Sequence, residues 1–240
     1  MKIYELNTQH KIPPSGVRGP KIPWYKYLLS YFYLVTIKKI DSSLNPGLCL
    51  QMEAGKLLLN TTNANYSYGN LHKVFEEVFE KIEIEKRPPQ NVLLLGLGAG
   101  SVIDIMQRQY GFEPEITAIE IDPAIIDCLR FWDNLELQKT NIITGDAFME
   151  INKLKQSFDL IIVDLFIDMN VHPNIHKKEF IEQLKSLLSE KGTILINYIV
   201  STKIQKEKFA EFQILLMNQF KEITGHEVMQ INRVLELKKS

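Results

Sequence analysis

The sequence predicts an α/β fold, a doubly wound and mostly parallel sheet of seven strands, preceded by a small N-terminal β segment. Three observations carry this reading. From residue 91 onward, strand-like and helix-like segments alternate, the pattern of helices packed on a parallel sheet. The strand-like runs are continuous in Val, Ile and Leu rather than alternating with polar residues, so both faces of each strand are expected to be covered. A glycine-rich turn separates the first of these strands from the helix that follows it.

The elements follow in order. Residues 1–70 form one expected segment and residues 71–240 the main domain. The first segment holds five of the ten prolines and seven of the nine tyrosines. Residues 7–23 read as an irregular arm punctuated by Pro and Gly. Tyr31 to Ile40 and Leu48 to Leu59 then read as two or three short antiparallel strands, joined by turns at Asn45-Pro46-Gly47 and Ala54-Gly55-Lys56. Leu71, Val74, Phe75, Val78, Phe79 and Ile82 recur at spacings of three and four, one buried stripe on an amphipathic helix that Pro88-Pro89 ends. Strands are expected at 91–95, 115–119, 141–144, 158–166 and 192–198. Helices are expected from Ser101, Pro123, Ala147, about Lys177 and Lys203. HEVMQI and NRVLEL, either side of Asn232, close the chain as a pair of strands.

Composition narrows the function classes. With 240 residues, 45% apolar and 24% charged, the chain has the makeup of a globular domain large enough for a packed core. Its longest apolar stretch, Trp24 to Val35, is interrupted by Lys26 and falls short of the ~20 residues a membrane helix needs. No basic-then-apolar leader opens the sequence. Cys49 and Cys128 sit in apolar contexts, which fits two buried thiols and a cytoplasmic location. Residues 1–70 carry 8 basic and 3 acidic side chains, and residues 71–240 carry 20 and 26. The basic residues are scattered, so nucleic acid is not an expected partner. His172 and His176 are separated by Pro173 and Asn174, which speaks against a shared helical face and a metal site.

The sharpest local signal is NVLLLGLGAGS at 91–101. Gly96, Gly98 and Gly100 let the chain turn off the strand and let a ligand approach the backbone closely. The next helix then offers free N–H groups. Glu120 closes the second strand about twenty residues on, where an acid can accept ribose hydroxyls; a solvated strand-end carboxylate is the plainer reading. Gly145, Asp146 and Ala147 follow the third strand. Asp146 can accept a hydrogen bond from an adenine amino group, cap the helix, or do both. Asp164 ends the fourth strand, at the sheet edge where ligands bind in open α/β folds. No lysine follows the glycines as in a phosphate-binding loop, and Ser101 stands where a dinucleotide fingerprint wants Gly or Ala. A nicotinamide-dependent oxidoreductase therefore rests on the glycines alone.

The segments VLLLGLGAGS, ITAIEIDP, IITGDAF, FDLIIVDLF with the later Pro173, and GTILINY, after LLLNTTNANYSYG at 57–69, resemble the class I S-adenosylmethionine-dependent methyltransferases, which have a Rossmann-like fold. More closely, they resemble the spermidine/spermine synthase-like branch of that superfamily, over about residues 30–240. The resemblance implies an S-adenosylmethionine or decarboxylated S-adenosylmethionine donor, no metal, and a small-molecule acceptor that could be an amine. It leaves room for a homodimer. It also implies a donor site at Gly96, Gly98, Gly100, Glu120, Asp146, Ala147 and Asp164, with Tyr66, Tyr68 and Asp168 facing the acceptor; core packing for the tyrosines and a solvated loop for Asp168 are the plainer readings.

Two departures bear on the chemistry. Spermidine synthases share a G-G-G-D-G loop, and here Ala99 stands in place of the aspartate. They also share a D-S/T-x-D-P-type segment, and here Asp164-Leu165-Phe166-Ile167-Asp168 keeps the first acid and displaces the second by one residue. An alanine at 99 removes a partner for a donor ammonium and a repulsion against a donor carboxylate. The resemblance thus tilts toward intact S-adenosylmethionine and methyl transfer, with aminopropyl transfer from the decarboxylated donor as the alternative and a non-catalytic adenosyl-binding protein as a third reading. Asp164 either takes a proton from an attacking amine or orients the donor's amine.

Overall fold

The computed structural model describes residues 21–61, 70–131, 135–167 and 170–239. Most of the arm at 7–23 lies outside them. The described chain begins with helix α1 (Trp24–Ser30), where the sequence shows an apolar stretch without a readable period. A three-stranded antiparallel sheet follows, formed by β1 (Val35–Lys39), β2 (Cys49–Glu53) and β3 (Lys56–Asn60). The first strand thus starts four residues after Tyr31, because residues 31–33 finish the turn out of α1.

Helix α2 (Asn70–Lys81) buries Val74, Phe75, Val78 and Phe79 completely, as the three-and-four spacing requires. Burial of side chains of this size contributes roughly 1.5–3 kcal/mol each, which fixes α2 against one face of the main sheet. That sheet contains β4 (Asn91–Leu95), β5 (Glu115–Glu120), β6 (Thr140–Thr144), β7 (Phe158–Val163), β10 (Leu188–Ile199), β11 (Glu222–Val228) and β12 (Asn232–Lys238). The short β8 (Phe166–Ile167) and β9 (Asn170–Val171) form a separate hairpin between them. The helices that connect or close the sheet are α3 (Ser101–Asp104), α4 (Pro123–Cys128), α5 (Ala147–Glu150), α6 (Lys178–Leu187) and α7 (Lys203–Met217). One further π-helical turn, Ile105–Gln109, continues α3.

The strand order is β11-β12-β10-β7-β4-β5-β6. The four central pairings are parallel, and β11 and β12 add the antiparallel edge. Leu93, Leu95, Ile161 and Val163 face a core layer shared with α6 and α7, whereas Val92, Leu94, Leu160 and Ile162 face a layer shared with α2 and α3. Both faces are covered, which is why these strands carry no polar alternation. The chain begins the sheet at β4, builds outward through β5 and β6, then returns to β7 on the other side. The reversal between β4 and β7 opens a crevice at their carboxyl ends, the place where ligands bind in such sheets.

The N-terminal sheet is tied to this crevice. Leu48 and Leu59 pack with Ala99, Ile125 and Cys128 in a small apolar cluster. Ser42 Oγ and Asn45 Nδ2 both donate to Asp122 Oδ2, while Asp122 Oδ1 caps α4 by accepting from the Ala124 amide. Both cysteines are free thiols. Cys128 is buried, and its burial pushes the thiol up to about 12; Cys49 is only half-buried.

Candidate active site

A cavity of about 470 Å³ occupies the crevice, a volume in the range of small-molecule sites. Its floor is the glycine loop. Gly96, Gly98 and Gly100 have φ of 88°, 51° and 78°, the left-handed region that glycine enters without strain. At Gly96 the requirement is also steric, since an added Cβ would lie 2.3 Å from the Asp164 carbonyl oxygen. The first glycine thus lets the loop after β4 and the loop after β7 meet across the switch point. Gly96→Ala is expected to destabilise the fold by at least ~2 kcal/mol, from the positive φ and the clash together. Thermal unfolding checks it; a melting temperature equal to the wild type's would remove the steric role.

Three carboxylates converge on the cavity, each from the carboxyl end of a different parallel strand. Glu120, at the end of β5, lines it and is 7% exposed. Its Oε2 accepts from the Leu97 and Gly98 amides at 3.1 and 3.3 Å, and its Oε1 accepts from the Asp122 amide at 3.0 Å. Burial raises its pKa, opposed by these three donors. A carboxylate offers about four lone-pair positions, so two hold the glycine loop, one holds the turn at Asp122, and one on Oε1 is open. Asp146, after β6, caps α5 by accepting from the Phe148 amide at 2.9 Å. The same side chain lines the cavity, beside Ala147. Capping is therefore an observed role of Asp146.

Asp164 lies one residue beyond β7. Burial pushes its carboxyl up to about 7; the Asn197 amide, donating to Oδ1 at 2.9 Å, opposes the rise, and the neighbouring charge of Glu120 adds to it. An acid whose pKa is higher folded than unfolded destabilises the fold as pH rises, here from about the ordinary 3.8 to about 7. Asp164→Asn is accordingly expected to be more stable than the wild type by on the order of 2 kcal/mol at pH 8, with no gain at pH 4. Chemical denaturation at the two pH values checks this, and a variant less stable at pH 8 than at pH 4 relative to wild type would contradict it.

Several lining residues carried no motif in the sequence. Asn197 and Asn232 line the cavity from β10 and β12, Leu44 and Asn45 from the turn that grips Asp122, and Phe148 and His172 from the far wall. The His172 ring packs on Phe148 at 4.7 Å, and its Nδ1 accepts from the Asn174 amide. Burial lowers its pKa. Its partner in the sequence pattern, His176, instead meets the Tyr198 hydroxyl at 3.2 Å. Asn197 is visible in principle as the one amide side chain inside the run GTILINY; nothing in the sequence ties it to Asn232 or to Asp164.

Among the cavity's described lining residues, Gly100 and Ala99 are absent. Gly100 turns the loop into α3, where an added Cβ would lie 2.7 Å from Leu135. The Ala99 methyl packs into the cluster with Leu48 and Leu59. Tyr66, Tyr68 and Asp168 lie outside the described residues.

The glycine loop, the acid after β5 and the Gly-Asp-Ala corner after β6 thus converge on one cavity. The profile of the spermine/spermidine synthase domain matches residues 39–237. The chain belongs to the spermine/spermidine synthase family. The polyamine aminopropyltransferase of Vibrio vulnificus (strain CMCP6) is 30% identical over 129 residues, covering 52% of this chain and 43% of that protein. The chain spans about half the length of the curated relatives it matches. The spermidine synthase of Thermotoga maritima superposes with a TM-score of 0.64 at 13% identity, covering 86% of this chain and 75% of that one. Human methyltransferase-like protein 13, in complex with SAH, superposes with a TM-score of 0.60 at 18% identity, covering 72% and 83%. At these identities the two structures share the fold, the Rossmann-like class I methyltransferase type. These curated relatives are named polyamine aminopropyltransferases, whereas Ala99 tilts the sequence toward methyl transfer. Among the described residues, no helix is long and apolar enough to cross a membrane.

Proposed function

We propose that the chain is a transferase that binds an adenosyl donor in this cavity and moves an aminopropyl group from decarboxylated S-adenosylmethionine to a small amine. The observation that carries the reading is Asp164: a buried carboxylate with a pKa of about 7, in the same cavity as the glycine loop. Near neutral pH such a group can take a proton from an arriving ammonium and leave a nucleophilic amine. The relatives named as polyamine aminopropyltransferases support the same class of acceptor.

The cavity's donor set fits an adenosyl group. Gly96 and Gly98 bring bare backbone to its wall, Glu120 keeps one open lone pair for a ribose hydroxyl, and Asp146 keeps Oδ2 for an adenine amino group. Glu120 and Asp146 would hold the donor, and Asp164 would face the acceptor. The bound donor supplies a sulfonium whose adjacent carbon is open to attack. Balanced by atoms, one N–H proton passes to Asp164, the freed nitrogen pair forms the new C–N bond, and the C–S pair stays on sulfur. The proton on Asp164 then leaves to solvent.

Methyl transfer from intact S-adenosylmethionine is the second reading, and Ala99 is the observation that favours it. With an alanine there, and with its methyl turned into an apolar cluster, the loop presents no carboxylate to a donor ammonium. Calorimetric titration with the two donors separates the readings. Tighter binding of the decarboxylated donor, with an aminopropylated amine as product, is expected; tighter binding of S-adenosylmethionine with a methylated product would overturn aminopropyl transfer.

A further inference from the structure

Side chains from β12, from β10 and from the loop just after β7 form a directed chain of hydrogen bonds that ends on the acid of the proposed reaction. Asn232 Nδ2 donates to Asn197 Oδ1 at 2.9 Å, and Asn197 Nδ2 donates to Asp164 Oδ1 at 2.9 Å. Asn197 is 1% exposed and Asn232 7%, and all three residues line the cavity. β10 and β12 pair through Ile199 and Asn232, and Asn197 sits opposite Val234. The antiparallel edge of the sheet therefore reaches into the site through this pair.

The polarity of the chain follows from chemistry. A carboxylate only accepts, so Asn197 must turn its NH2 toward Asp164. Its carbonyl then needs a donor, and Asn232 provides one. Reversing the Asn197 amide would place carbonyl against carboxylate and NH2 against NH2, which leaves buried groups unpaired. We propose that Asn232 and Asn197 are positioning residues that hold Asp164 Oδ1 on a fixed donor, so that the proton taken from the acceptor amine arrives on Oδ2, the oxygen left open. The inference rests on reading Asp164 as the proton acceptor.

Among the described residues that line the cavity, the other charged or titratable groups are Glu120, Asp146 and His172. Neither asparagine changes charge, so replacing one by an apolar residue of similar size leaves those groups as they are. With its donor gone or free to reverse, the Asp164 carboxylate is less favoured and should titrate at higher pH.

The test is a carboxyl-carbon NMR titration of the full-length protein labelled at aspartate, with the Asp164 signal assigned by its loss in Asp164→Asn. Asn197→Leu and Asn232→Leu are expected to raise the Asp164 midpoint by about half a pH unit or more. Asn232→Thr, which keeps a donor of similar bulk, should stay near the wild type. In the wild-type protein, where no substitution can disturb folding, the Asn197 side-chain NH2 protons should shift with the same midpoint as Asp164. An Asn232→Leu midpoint equal to the wild type's, or flat Asn197 NH2 signals through the Asp164 titration, would overturn the proposal. These readings need no turnover. An inactive protein that still shows both shifts would count against the transferase reading alone, with the hydrogen-bond chain intact.

Discussion

Asp164→Asn should bind an adenosyl donor within a few-fold of the wild type and lose 10²–10⁴-fold in transfer rate, roughly what a general base contributes. The substitution preserves shape and can still accept the Asn197 hydrogen bond through its carbonyl oxygen. What it removes is the ability to take a proton. The wild-type rate should rise with pH and level off above about 7, where burial places the Asp164 carboxyl, and that rise should vanish in the variant. The gain in stability expected at pH 8 from the same substitution makes loss of folding an unsuitable explanation for the lost rate. Steady-state rates with an amine acceptor across pH 5–9, together with donor titration, check it. A variant that kept its rate would make Asp164 a structural acid.

Glu120→Ala should have the second large effect, and on two observables at once. The three amides that Glu120 now satisfies would lose their acceptor, and the glycine loop would lose its anchor. Unpaired buried polar groups cost ~1–3 kcal/mol each, less where water can reach them. The folded state should therefore be destabilised measurably, and donor binding should weaken by roughly 1.5–3 kcal/mol from the ribose contact and the slackened loop together. Calorimetry and thermal unfolding on the same sample check both. Unchanged donor affinity in a folded variant would remove Glu120 from the donor site.

The extent to which this was legible in the sequence differs by element. The strands from Asn91 to Leu95 and from Phe158 to Val163 declare themselves because parallel strands covered on both faces must be apolar throughout, and Val92 to Leu95 are at most 1% exposed. The α2 stripe declares itself through its period. Helix α1 did not, because a seven-residue helix of mostly apolar side chains contains too few turns to establish one. The apolar run predicts a strand through Phe166; in the structure β7 stops at Val163 and the chain resumes pairing only in the short β8–β9 hairpin. Gly96 and Glu120 were legible because a glycine loop and a strand-end acid recur at fixed separations along one βαβ unit. Asn197 and Asn232 were not, since they meet only through the pairing of β10 with β12, a contact between residues 35 apart that local patterns do not encode. Ala99 shows a further limit: its place in the loop pattern is a matter of sequence, but its packing into the cluster with Leu48 and Leu59 depends on a segment far upstream.

The proposed function depends first on the cavity holding an adenosyl group, and thermal unfolding of the full chain with methylthioadenosine measures that without requiring turnover or knowledge of the acceptor. A ligand present at a hundred times its dissociation constant adds ~2.7 kcal/mol to stability, a shift that unfolding curves resolve easily. The wild type should be stabilised by methylthioadenosine and by decarboxylated S-adenosylmethionine, Glu120→Ala much less so, and NAD should have no effect. No stabilisation of the wild type by either adenosyl compound at millimolar concentration, or equal stabilisation by NAD, would contradict the assignment of this cavity to an adenosyl donor.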